Sequence, residues 1–169
     1  MADQEDIRLS NQLCFAVYNA NRLFARFYQL ALAPYKLTYS QYAVLLALWE
    51  QDGVTLKQLG RQLDLASNTL TPLLRRLESA GWIVRMTPAT DKRQLIIRLT
   101  EAGRLRRDDV FQSVKACAAT QQLSSDAYGI YLRHVQRLNT HLEQAISAMT
   151  AALAQTEHSS ASMSRLPLE

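Results

Sequence analysis

Apolar residues recur at helical spacing toward both ends of the chain, and the spacing changes in the middle. Over residues 7–33, Leu9, Leu13, Val17, Ala20, Phe24, Phe27 and Ala31 fall three or four apart. This predicts one long helix ended by Pro34. Leu23 and Leu30 widen its apolar surface beyond what one small domain covers, so a partner subunit is expected. A second helix over 39–51 is capped by Thr38, turns Tyr42, Leu45, Leu46 and Trp49 toward a core, and stops at Asp52-Gly53. Residues 54–63 read as a short helix capped by Thr55, Asp64-Leu65-Ala66 as a tight turn, and 67–80 as another helix closed by Gly81. Pro72 predicts an irregular start to that helix. After Gly81 the pattern becomes extended: β-rich runs at 82–86 and 94–99 flank a polar loop, which is the signature of a hairpin. Helical spacing resumes at Thr100-Glu101 and continues to about Ala119. A last helix, capped by Ser124 or Ser125, carries Tyr128, Leu132, Val135, Leu142, Ile146 and Met149.

Helix, turn, helix and hairpin in that order make a winged helix-turn-helix, assigned to residues 38–102. The fold class expected is mainly α with a small β-hairpin wing. Residues 7–33 and 103–155 are expected to form a helical dimerisation region, and 156–169, small and unpatterned, a disordered tail.

Composition narrows the class. With 48% hydrophobic residues in 169, a real core is possible, and 5 Gly and 4 Pro leave room for long helices. No apolar run approaches the ~20 residues that span a bilayer, and the acidic first six residues lack the order of a secretory signal. A cytoplasmic location without a membrane partner is expected. Two cysteines are too few for a disulfide scaffold and would rest as thiols there. His134, His141 and His158 lack metal-ligand spacing, so no metal and no cofactor is expected. The net charge of +4 is unevenly spread: residues 54–107 hold 11 Lys/Arg against 4 Asp/Glu. A basic centre between neutral-to-acidic flanks points to a polyanionic partner.

The chemistry fits double-stranded DNA. A helix enters the major groove, and its first residues reach base edges. Here these are Ser67, Asn68, Thr69 and Thr71, with Arg75 and Arg76 further along for phosphates. At the hairpin tip, Lys92 and Arg93 are placed for the minor groove, with Asp91 orienting Arg93. Residues 55–102, with the Asp91-Lys92-Arg93 wing and the Leu99-Thr100-Glu101-Ala102-Gly103 exit, resemble the winged helix of the MarR family. The resemblance extends over 7–153. It implies a homodimer whose terminal helices interlock and whose two-fold symmetry requires a pseudo-palindromic operator.

Asn11-Gln12-Leu13-Cys14-Phe15, Leu37-Thr38-Tyr39-Ser40-Gln41-Tyr42 and Thr69-Leu70-Thr71-Pro72-Leu73-Leu74 resemble, more narrowly, the organic hydroperoxide resistance (OhrR) subgroup. Ser40 departs from the proline usual there. The resemblance implies a repressor induced by organic hydroperoxide, in which Cys14 is oxidised and Tyr28 and Tyr39 hydrogen-bond its sulfur. A thiolate is the reactive form, and the first turn of a helix favours an anion. Cys14 and Tyr28 lie fourteen residues apart on one helix, about 21 Å along a straight axis. Any bond between them therefore crosses between subunits. Members with one cysteine form a mixed disulfide with a small thiol. Those with two pass the oxidised sulfur to a resolving cysteine of the other subunit, which Cys117 resembles. Cys117 also reads as a small core residue beside Val114 and Ala116. Two other functions fit the chain less well: a MarR-type repressor released by a small phenolic or aromatic ligand, and a thiol peroxidase. The latter lacks a peroxidase cysteine motif, so no enzyme is expected.

Overall fold

A computed structural model describes residues 8–88, 94–119 and 124–163. The chain divides into two compact units, residues 1–121 and 122–169.

The first unit opens with a short 3₁₀ turn, Leu9–Asn11, followed by α1 (Leu13–Leu32). The helix thus starts six residues later than expected, which puts Cys14 at its second position. It ends into a 3₁₀ turn containing Pro34, and Lys36 then takes a left-handed conformation, φ 53°. α2 (Tyr39–Glu50) and α3 (Leu56–Leu63) both begin with a full capping box. In each, a threonine (Thr38, Thr55) accepts from the N–H three residues on, and the glutamine there (Gln41, Gln58) accepts from the threonine N–H. Asp64, with φ 51°, ends α3, and the chain turns directly into α4 (Ser67–Ser79). α4 is regular from Ser67 with Pro72 inside it, in place of the irregular start predicted. The Asn68 carbonyl loses its i+4 donor there, and the Thr71 hydroxyl donates to the neighbouring Ser67 carbonyl at 2.7 Å.

Three strands form an antiparallel sheet in the order β1 (Val54–Thr55), β3 (Ile96–Leu99), β2 (Ile83–Met86). The hairpin was legible, whereas β1 was not: two residues ahead of α3 pair with Ile97 and Ile96 across more than forty positions. The single helix expected to reach Ala119 is two, α5 (Glu101–Leu105) and α6 (Arg107–Ala119), broken at Arg106. Leu70, Leu74 and Leu77 of α4 pack in one fully buried core with Leu45, Leu48, Leu59, Trp82, Ile83, Ile97 and Val110. Leu32, from the end of α1, joins the same core, so that end of the long helix is anchored to the winged helix while most of the residues before it are exposed.

The described residues of the second unit form one helix, α7 (Ser125–Met163). The disordered tail expected from residue 156 is instead helical as far as Met163. Extending an existing helix adds one hydrogen bond per residue and needs no new nucleus, so a stretch without patterning can continue it. Tyr128, Val135, Leu142 and Met149, seven residues apart, are all exposed.

Candidate functional site

α4 separates its two jobs by face. Leu70, Leu74 and Leu77 are buried, while Ser67, Asn68, Thr69, Arg75 and Arg76 are exposed and Thr71 is half-buried. Every candidate reading residue of the helix is therefore available to a ligand on one side. Unlike α2 and α3, α4 has no side-chain cap: Ala66 stands at its N-cap. The Ala66 carbonyl accepts from the Thr69 and Leu70 N–H groups, and the Ser67 and Asn68 N–H groups ahead of them lie at a helix start of the kind that suits a phosphate. Lys57 and Arg61 of α3 and Asp64 line a shallow groove of about 340 Å³ beside Ser67. The wing residues Asp91, Lys92 and Arg93 lie outside the described residues.

The hairpin is held to α4 and to α2 by contacts that the sequence patterns did not reveal. Glu78, on the last turn of α4, accepts from Arg85 of β2 three times: from the backbone N–H at 3.1 Å, Nε at 2.8 Å and Nη2 at 2.6 Å. The side-chain hydrogen bond from Arg85 holds the Glu78 carboxyl below the usual carboxylate range, against the opposing effect of burial. Asp52 closes the other side. Its Oδ1 accepts from the Leu99 and Gly53 N–H groups at 2.8 and 2.9 Å, and its Oδ2 from Arg104 at 2.8 Å. Burial pushes the Asp52 carboxyl up, but these donors outweigh it and the net displacement is downward. At the corner where β3 enters α5, the Thr100 hydroxyl donates to the Gly81 carbonyl at 2.7 Å and accepts from Gly103 N–H at 2.9 Å. Gly103 has no room for a side chain, since a Cβ there would lie 2.2 Å from the Trp82 carbonyl oxygen. The Trp49 indole N–H donates to the Gly103 carbonyl at 3.0 Å, tying α2 to the same corner.

Cys14 is exposed at the N-terminal end of α1. Tyr28, fourteen residues on in the same uninterrupted helix, packs on Tyr39 with ring centroids 4.6 Å apart. Buried Tyr42 lies 5.8 Å from Tyr28. The fold thus brings the two candidate tyrosines together and keeps Cys14 at the far end of α1. Tyr39 remains half exposed, at 51%, so the pair presents a surface. Cys117 is half-buried on α6. It lies one turn beyond Ser113, whose hydroxyl donates to the Ala31 carbonyl of α1 at 2.8 Å. Among the described residues no group of three or more His, Cys, Asp or Glu forms a metal site, and no helix is long and apolar enough to cross a membrane.

A helix-turn-helix with an uncapped, polar second helix and an attached hairpin defines a DNA-binding transcriptional regulator of the MarR-like winged-helix class. Residues 26–110 match the family model of the transcriptional regulator SarA/Rot, and the chain belongs to that family. It is 42% identical over 104 residues to the organic hydroperoxide resistance transcriptional regulator of Bacillus subtilis, covering 62% of this chain and 71% of that one. It is 52% identical over 96 residues to the regulator TtmR of Methylorubrum extorquens, covering 57% of this chain and 49% of TtmR, so it spans about half the length of that relative. Among solved structures, reduced AbfR bound to DNA is similar with a TM-score of 0.72 at 47% identity, covering 82% of this chain and 97% of that one. Disulfide-formed AbfR is similar at 0.64 and 46% identity, covering 85% and 96%.

Proposed function

We propose that this regulator is a homodimeric repressor that senses organic hydroperoxide through Cys14 and releases its operator when Cys14 is oxidised. The observation that carries this reading is the separation along α1. Cys14 is exposed at one end, and the packed Tyr28–Tyr39 pair presents its surface at the other. Two copies related by a two-fold axis can set the thiol of each against the phenols of its partner, which one copy alone cannot do. In the reaction the Cys14 thiolate attacks one peroxide oxygen, the O–O bond breaks, and the leaving alkoxide takes a proton to become the alcohol. Cys14 is then a sulfenic acid. The Cys117 thiol of the second copy attacks that sulfur, expels water and closes a disulfide.

Length supports a disulfide between copies rather than within one. Ala31 lies seventeen residues beyond Cys14, about 25 Å along the helix. One turn of α6 and one helix–helix spacing separate Ala31 from Cys117, which leaves the two cysteines beyond the ~7 Å between Cα atoms that a disulfide tolerates. The likeness to disulfide-formed AbfR supports a thiol chemistry of this kind, and the B. subtilis relative supports organic hydroperoxide as the inducer. On the DNA side, Ser67, Asn68, Thr69 and Thr71 read bases, Arg75 and Arg76 take phosphates, and Asp91, Lys92 and Arg93 form the wing contact.

The test uses a duplex enriched by this protein from a random-sequence library, with cumene hydroperoxide as oxidant. The reduced protein is expected to bind and the oxidised protein to release, with a dimer-sized band on a non-reducing gel. Cys14→Ser should bind but not release, and Cys117→Ser should lose the band. Release that persists in Cys14→Ser would overturn the sensor and leave the phenolic-ligand repressor as the better reading.

A further inference from the structure

The Tyr28–Tyr39 pair does not end at the surface of α2. Tyr28 contacts Tyr42 at 5.8 Å, Tyr42 contacts Trp49 at 6.3 Å, and Trp49 contacts Phe111 of α6 at 5.7 Å between ring centroids. Tyr42 and Trp49 are seven residues apart on α2, so they lie two turns apart on one face. The row therefore runs from the phenols to the opposite end of α2 without a gap. There the Trp49 indole N–H is bonded to the Gly103 carbonyl. Gly103 is tightly confined at the hairpin's base: a Cβ on it would run into the Trp82 carbonyl, and its N–H is held by Thr100. The Trp82 carbonyl in turn accepts from Thr100 N–H at 3.0 Å, immediately after β3. Phe111 places the same ring against α6, the helix that carries Cys117.

We infer that Trp49 is a positioning residue for the redox response: it transmits a displacement of Tyr28 and Tyr39 to the base of the hairpin and to α6. This rests on the reading of Cys14 as the sensor. Planar rings in van der Waals contact deform little, so a shift of the first ring is passed along the row. Only the last link is directional. A tilt of the indole must carry the Gly103 carbonyl with it or break a half-buried hydrogen bond, and Gly103 cannot move without moving the Trp82–Thr100 corner. Trp49 therefore sits where two motions meet, that of the wing base and that of α6.

The experiment compares full-length wild-type protein with Trp49→Phe and Phe111→Leu, using the library-selected duplex and cumene hydroperoxide. Trp49→Phe keeps a ring in the row but removes the N–H. Reduced Trp49→Phe is expected to bind DNA within a few-fold of wild type, while the ratio of oxidised to reduced Kd falls about three- to thirtyfold. Cys14 oxidation, read by mass spectrometry, should proceed equally in both. A second measurement needs no variant: the Trp49 indole N–H resonance of wild-type protein should shift on oxidation. An unchanged Kd ratio in both variants overturns the inference, as does an indole resonance that stays in place while wild type releases DNA. Failure of wild type itself to release DNA overturns the sensor reading, and the inference with it.

Discussion

At the scale of single residues, Gly103 is the most tightly confined of the glycines. Any side chain there meets the backbone oxygen of Trp82 at a distance no real Cβ contact reaches, and the obstacle is main chain, which cannot rotate away. Gly103→Ala is expected to cost about 1–3 kcal/mol, read as a lower urea midpoint with an unchanged m-value. A neutral result would mean that the α5 corner adjusts freely. Glu78 makes a different kind of claim, because its carboxyl is held below its ordinary range by Arg85. A group depressed in the folded state stabilises the fold above its unfolded pKa, and that contribution is lost as pH falls through the folded value. Stability should therefore decline below about pH 4, and Glu78→Gln should flatten that decline. An identical acid slope in the variant would remove Glu78 from the account. These two positions differed in legibility. Gly103 was visible as part of an exit motif, but its reason, the approach of Trp82 from twenty-one residues earlier, exists only in the fold.

At the scale of elements, α4 yields the next prediction. Its buried leucines fix which side faces outward, so Arg75 and Arg76 project with the reading residues. Arg75→Ala should weaken binding to selected and scrambled duplexes by similar factors and reduce the slope of log K against log salt by about 0.9. A loss confined to the selected duplex would make Arg75 a base reader. The element boundaries explain what a sequence can disclose. Thr38 and Thr55 announced α2 and α3 because a capping box is complete within four residues. The break at Arg106 carried no glycine or proline to mark it, and β1 is a strand only because β3 returns beside it. The candidate site divides in the same way. The reading residues of α4 follow from local pattern. The pairing of Tyr28 with Tyr39 and the aromatic row behind it depend on how α1 and α2 pack, which no spacing along the chain encodes.

At the scale of the whole molecule, the exposed apolar surface decides the argument. Leu13, Val17, Leu23 and Phe24 on α1 are open to solvent, and so are Tyr128, Leu132, Val135, Leu142, Ile146 and Met149 on α7. Such surface is costly to leave in water, at roughly 25 cal/mol per Å². Among the described residues of its unit, the 39-residue helix α7 has nothing to cover it. On α7 the seven-residue interval of Tyr128, Val135, Leu142 and Met149 is the repeat by which helices pack along a common seam. The protein is accordingly expected to sediment at twice its 19.1 kDa protomer mass. Leu142→Glu places a charge in the seam and should shift the dimer toward monomer, with a thermal midpoint that becomes more dependent on protein concentration. Because an operator of two half-sites is bound by two reading helices together, the same variant should lose DNA affinity although Leu142 lies on a unit without the reading helix. Oxidation of its Cys14 by cumene hydroperoxide should slow as well, since the phenols that would face it belong to a second copy. A monomeric Leu142→Glu protein that keeps both properties would show that one copy suffices, and the composite site would have to be abandoned.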